Sequence, residues 1–345
     1  MFDATRYIPD CLFDAITDIR VKAPHVIAEE AAARARRPEL APDGHLCVLA
    51  CDHPARLVTS ALGDPLAMGD RRDYLSRVLR VLSHDEIDGV MSTPDIIDDL
   101  LIVSALQRRA TGRSFLDGKV LMGCMNRGGL AGAVFEMDDM MTAYDAQSIA
   151  DSGLDCAKLM FRLDVTNPDS LKAIKYCADA LTDLSRRGIP AFLEPLPVER
   201  TGSGYRVTKT ASALIQVIGV ASALGVSSAL TWLKVPIVPD FPKVCRSTTL
   251  PMLLLGGEAT GDPGRLMTDF HDALAAGSNV RGALIGRNVL YPGDADPLGV
   301  ALGVCRMVHG SVSVEEAAAM VNSFADWGVG LLSFDPGVVE GLASR

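Results

Sequence analysis

Aromatic side chains are scarce in this chain of 345 residues, at 5% with two tryptophans, so any large core must be built from aliphatic side chains. No stretch approaches the roughly 20 uninterrupted apolar residues that a helical membrane span needs, because Asp, Glu, Arg or Lys breaks every long run. The first residues, Met1-Phe2-Asp3-Ala4-Thr5-Arg6, lack a basic segment leading into an apolar one, so no secretory signal is expected. Positive charge is also thin. The net charge is −10, and the one short basic stretch, Arg34-Ala35-Arg36-Arg37, reads as a solvated helix face. Nucleic acid and anionic membranes are therefore not expected partners. The eight cysteines (Cys11, Cys47, Cys51, Cys124, Cys156, Cys177, Cys245 and Cys305) include no CxxC pair and no ligand-like spacing. They read as reduced, buried residues in a cytoplasmic protein, with neither a disulfide frame nor a metal site.

What the chain does have is repetition. After a helical lead-in over residues 4–37, eight short β-favouring runs recur at 45–51, 89–93, 119–126, 156–162, 191–195, 230–237, 251–256 and 282–286. Most are continuously apolar instead of alternating, as parallel strands covered on both faces should be. Amphipathic segments of helical length separate them, at 71–82, 95–109, 138–151, 170–187, 209–224 and 264–276, with final helices over 297–309 and 314–324. Eight strand-then-helix units point to a single (β/α)8 TIM barrel over residues 45–345, preceded by an N-terminal helical extension over 1–44. A doubly wound open sheet would carry a glycine-rich turn after its first strand; here that turn reads Cys51-Asp52-His53-Pro54. With 48% apolar residues and no Pro/Ser-rich linker, one domain is the better reading.

In such a barrel, chemistry belongs at the C-terminal strand ends. Asp52, Asn126, Lys158, Arg162, Glu194, Lys234, Gly256-Gly257 and Gly286-Arg287 all fall there. The most unusual is Lys234, inside the apolar run Leu230-Thr231-Trp232-Leu233-Lys234-Val235-Pro236-Ile237. A lysine at a strand end can simply reach solvent. Burying its ammonium, by contrast, costs several kcal/mol unless the charge is paired or lost, and a neutral amine is a nucleophile that condenses with carbonyl groups. A second run of the same design holds Lys158, in Cys156-Ala157-Lys158-Leu159-Met160-Phe161-Arg162. Side chains alternate along a strand, so Lys158 (fourth strand) and Lys234 (sixth) can point inward alongside Asp52 (first) and Glu194 (fifth). Two amines and two carboxylates then share the barrel mouth. A neighbouring cation and a dry setting both lower the pKa of a lysine, and a carboxylate can shuttle protons through carbinolamine and imine. Glu194 is expected to address Lys158 or a substrate hydroxyl, leaving Lys234 the freer amine.

Turn glycines follow the last two strands, at Gly256-Gly257 and at Gly286-Arg287, where barrels commonly hold a phosphate on backbone amides. Of the six histidines only His53 sits at a predicted strand end, too few for a metal-dependent mechanism, and no metal or other cofactor is expected.

At these residues the chain resembles the class I, Schiff-base-forming aldolases of the (β/α)8 superfamily, most closely the tagatose-bisphosphate and sulfofructose-phosphate aldolases. The likeness is carried by Ala50-Cys51-Asp52-His53, Ala157-Lys158-Leu159, Ile189-Pro190-Ala191-Phe192-Leu193-Glu194-Pro195-Leu196, Leu233-Lys234-Val235-Pro236 and Ile285-Gly286-Arg287-Asn288, across residues 45–310. The resemblance implies that Lys234 forms an imine with dihydroxyacetone phosphate or a ketose phosphate. It makes Glu194 the acid/base, Lys158 its partner and Asp52 a binder of substrate hydroxyls, with Gly256, Gly257, Gly286 and Arg287 at the phosphate and Asn126 among the binding groups. Departures from the family are His53-Pro54 after the aspartate and Met160-Phe161-Arg162 after the fourth-strand lysine. Arg162, four positions and about 13 Å beyond Lys158, suits a carboxylate, sulfonate or second phosphate on the substrate, for example the keto-deoxy-gluconate phosphate of inositol breakdown; a salt bridge to Asp164 or a contact with a helix end is the structural alternative. A transaldolase would present nearly the same site, and a non-catalytic sugar-phosphate-binding barrel is a third reading. Residues 127–137, rich in glycine, read as a lid or a plain loop. A homo-oligomer acting on a small sugar phosphate is expected.

Overall fold

Strands that are apolar on both faces need cover on both, and a closed barrel wrapped by helices supplies it. A computed structural model describes residues 2–127, 129–202 and 204–324. Its strands are β1 Leu46–Ala50, β2 Gly89–Ser92, β3 Val120–Cys124, β4 Cys156–Leu163, β5 Ala191–Thr201, β6 Gly204–Val207, β7 Thr231–Pro236, β8 Met252–Leu255 and β9 Val280–Ile285. All but β6 are parallel and pair in sequence order, with β9 returning to β1, so the sheet closes into an eight-stranded (β/α)8 barrel. The interior is filled by alternate residues such as Val48, Met91, Met122, Cys156, Phe192, Leu253 and Leu284, with Trp232 against Phe192 at 5.5 Å. A far larger aliphatic core lies between strands and helices, as the scarcity of aromatics requires.

The structure departs from the sequence reading in four places. The fifth strand runs well past residue 195 and folds back as an antiparallel β5–β6 hairpin. The helix expected over 138–151 starts only at Ala146, where Asp145 and Ser148 form a reciprocal capping box. The helix expected over 314–324 is seen as Val314–Met320. The Arg34–Arg37 stretch is not a solvated face. The Arg34 side chain is fully buried, pairing with Asp155 at 2.9 Å, and Arg37 pairs with Asp88 at 2.9 Å. Helices Asp10–Lys22 and His25–Ala33 precede the barrel and pack on the outer helix Pro94–Thr111. Gly128 and residues 325–345, the latter part of the expected barrel region, lie outside the described residues. Among the described residues no helix is long and apolar enough to cross a membrane.

Candidate active site

Strand register sets the heights of the inward side chains. Glu194 on β5 pairs level with Met160 on β4, while Lys158 pairs with Phe192 one layer lower. On β7, Trp232 pairs with Phe192, so Lys234 two residues on stands at the height of Glu194. Lys158 therefore lies deeper and Lys234 nearer the mouth. The carboxylate between them serves both: Glu194 Oε2 is 2.8 Å from Lys158 Nζ and 3.1 Å from Lys234 Nζ. Lys158 also reaches Asp52 Oδ2 at 3.4 Å, and Arg56 approaches the same oxygen at 3.8 Å. The expectation that Glu194 would leave Lys234 freer is thus corrected, because one oxygen accepts from both amines.

The two lysines differ in charge. For Lys158, burial opposes the ammonium, but Glu194 and Asp52 outweigh it and raise the pKa above the ordinary lysine value. For Lys234, burial is the largest influence and lowers the pKa; Glu194 opposes it, and the Lys158 ammonium adds to the lowering. Burial alone would raise Glu194, yet Lys158, Lys234 and Arg56 hold it down at about 2. Asp52 is likewise held below the carboxylate range by Lys158 and Arg56 against its burial. The outcome is an ionised pair of carboxylates, a fixed deep cation, and an outer amine biased toward neutrality.

That outer amine faces space. A cavity of about 560 Å³ opens at the C-terminal strand ends, and Lys234 and Glu194 are in its wall while the fully buried Lys158 is not. Arg56, Lys209, Arg265 and Arg287 also line it, giving four further basic side chains around one amine. Gly256, Gly257 and Gly286 form part of the wall. Gly257 has φ +74°, a conformation that suits glycine. A Cβ at Gly286 would lie 2.3 Å from the Ala50 carbonyl oxygen and 2.5 Å from His53 Cε1, so only glycine fits there. His53 itself is neutral, burial having pushed its pKa to about 3.

Two residues proposed as substrate ligands are engaged elsewhere. Arg162 forms an ion pair with Glu136 at 2.5 Å and also donates to the Glu136 carbonyl, so its guanidinium anchors the loop after β3, pairs with Glu136 instead of Asp164 and is not among the residues lining the cavity. Asn126 spans β3 and β4, donating to Met160 O at 2.7 Å and Asp139 at 3.0 Å and accepting from Met160 N. Both are buried. That anchored loop meets the β5–β6 hairpin, and Met137, Met160, Leu196 and Val198, with Tyr205 and Val207 beside them, form a small apolar layer near the mouth. Sequence reasoning missed Arg56 and Lys209. Arg56 could have been found, since it follows Asp52 by four residues in a short helical turn; Lys209 could not, because only the unforeseen hairpin brings it in.

A model of the Cgl0159-like family matches residues 44–304. The crystal structure of Cgl0159 from Corynebacterium glutamicum is 36% identical, with a TM-score of 0.81, covering 88% of this chain and 98% of that one. A Schiff-base-forming fructose-1,6-bisphosphate aldolase is 17% identical with a TM-score of 0.53, covering 82% of this chain and 99% of its own. The fructose-bisphosphate aldolase of Slackia heliotrinireducens is 13% identical with a TM-score of 0.61, covering 94% of each chain. At these identities the two aldolases share the fold. No curated protein matches the chain.

Proposed function

We propose that this chain, which belongs to the Cgl0159-like family, is a class I aldolase that cleaves or forms a ketose phosphate through a Schiff base on Lys234. The observation that carries the reading is the pairing of a cavity-facing amine of lowered pKa with a carboxylate it shares with a deeper, charged lysine. Lys234 Nζ adds to the ketone carbon, and the carbonyl oxygen takes a proton to give a carbinolamine. Protonation of that hydroxyl through Glu194, refilled by the Lys158 ammonium, expels water and leaves an iminium. The iminium draws in the electrons of the neighbouring carbon–carbon bond as the adjacent hydroxyl passes its proton to the Glu194 carboxylate and becomes the aldehyde. Asp52, whose Oδ1 has no partner, is suited to hold a substrate hydroxyl. The enamine is then protonated on carbon, and water releases the ketone from Lys234.

Arg287 with the amides near Gly257 and Gly286 suits the phosphate. Arg56 and Lys209 are additional cavity cations and support a substrate with a second anionic group, such as a carboxylate. That is the property for which Arg162 was first considered. The motif-level resemblance to tagatose-bisphosphate and sulfofructose-phosphate aldolases supports the same class, acting on soluble sugar phosphates in the cytoplasm as a homo-oligomer.

Borohydride reduction in the presence of dihydroxyacetone phosphate, followed by peptide mass mapping, tests the reading. A stable adduct on the peptide holding Lys234, absent from Lys234→Ala, is expected. An adduct confined to other lysines would overturn it.

A further inference from the structure

Far from the lysine mouth, at the N-terminal end of the barrel, four groups with metal-ligating chemistry converge from distant parts of the chain. Cys47 lies on β1, Asp88 immediately precedes β2, and Cys305 and His309 stand four residues apart at the end of the outer helix Pro297–Val308. One ligand atom each from Asp88, Cys305 and His309 lie within 4.8 Å of one another, the Cys305 thiol donates to the Glu86 carbonyl at 3.0 Å, and Cys47 is a neighbour of Cys305 just outside that group of three. His309 Nε2 is 3.0 Å from Asp88 Oδ2. None of these four lines the active-site cavity.

We propose that Cys47, Asp88, Cys305 and His309 bind a single zinc-type divalent ion that fastens the outer helix Pro297–Val308 to the floor of the barrel. Two sulfurs, an imidazole nitrogen and a carboxylate oxygen make a tetrahedral set of the kind zinc selects over calcium or magnesium. With bonds of about 2.0–2.3 Å to the ion, tetrahedral ligand atoms stand about 3.3–3.8 Å apart, so Asp88, Cys305 and His309 must draw in from within 4.8 Å and the Cys47 side chain must turn toward them. The surrounding shell is already arranged. Asp43 holds the other ring nitrogen of His309, Nδ1, at 2.6 Å, the carboxylate–histidine contact that orients a metal-bound imidazole. Arg37 occupies the outer oxygen of Asp88, Oδ1, and leaves Oδ2 toward the cluster, where the Cys47 amide also donates at 2.7 Å. Binding displaces the two thiol protons and the proton shared between His309 and Asp88, and these leave to solvent. The two thiolates and Asp88 are then balanced by the ion and the Arg37 guanidinium. The His309 side chain, 24% exposed, gives the ion a way in.

The test is titration of the metal-free, reduced, full-length protein with Co2+, followed by Zn2+ competition. One ion per chain is expected, with a thiolate-to-cobalt charge-transfer band in the near ultraviolet that Zn2+ abolishes. Cys305→Ser and His309→Ala should each weaken binding at least about 10-fold, while Cys245→Ser should not change it. X-ray absorption of the wild-type zinc protein avoids dependence on variant folding and should give two sulfur and two lighter ligands. Absence of the charge-transfer band, a different sulfur count, or a Cys47–Cys305 disulfide formed in place of metal uptake under reducing conditions would overturn the proposal. None of these readouts depends on aldolase turnover.

Discussion

Two lysines at opposite ends of the barrel are buried and shifted in the same direction, yet only one is equipped for chemistry. Lys119 precedes β3 at the N-terminal end, and burial lowers its pKa to about 8. Its Nζ donates to the carbonyls of His84 at 2.8 Å and Ile87 at 2.7 Å, and no carboxylate among the described residues pairs with it. Lys234, lowered for the same leading reason, has a shared carboxylate at 3.1 Å and a cavity in front of it. Burial lowers the pKa of both amines, which is necessary but not sufficient. What separates a reactive amine from a structural one is a proton shuttle within hydrogen-bond reach and room for a ketone.

Substituting each lysine with methionine gives the largest expected contrast. Lys234→Met should abolish turnover of a ketose phosphate with the fold intact by circular dichroism, because Lys209, the other amine in the cavity wall, does not pair with Glu194 as Lys234 does. Lys119→Met should keep kcat within about twofold, since Lys119 touches no group of the mouth. Equal losses in the two variants would dissolve the distinction.

A smaller effect concerns pH. A lysine whose folded pKa of about 8 lies below its unfolded value near 10.4 releases its proton on folding in the window between them. The unfolded chain binds more protons there, so this group makes stability rise with pH from about 8 to 10.4, by about 3 kcal/mol for a shift of that size. Urea unfolding at both ends of the window should show that rise diminished in Lys119→Met. An unchanged slope would mean that Lys119 is not the group responsible.

The barrel was legible in the sequence because its strands are near-continuous apolar runs, and inward-facing lysines interrupt such runs conspicuously. Strand alternation also placed Asp52, Lys158, Glu194 and Lys234 on inward faces, and the four side chains do converge. Alternation assigns a face but not a partner, and so it could not show that Glu136, on a loop with no periodic signal, takes the Arg162 guanidinium. The β5–β6 hairpin was hidden because Pro195 and Pro197 look like a strand end, although both sit within β5. The metal-type cluster left only the four-residue spacing of Cys305 and His309 as a trace, since the fold brings Asp88 and Cys47 to them from distant segments.

The most direct measurement is the pH dependence of acetylation at Lys234, followed by peptide mass mapping in the wild type and in Lys158→Met. A reactivity midpoint below the free-lysine value near 10.4 is expected in the wild type, moving upward in Lys158→Met as the repelling ammonium is lost. A wild-type midpoint at or above the free-lysine value would contradict the account, because the outer amine would then be an ordinary ammonium paired with Glu194.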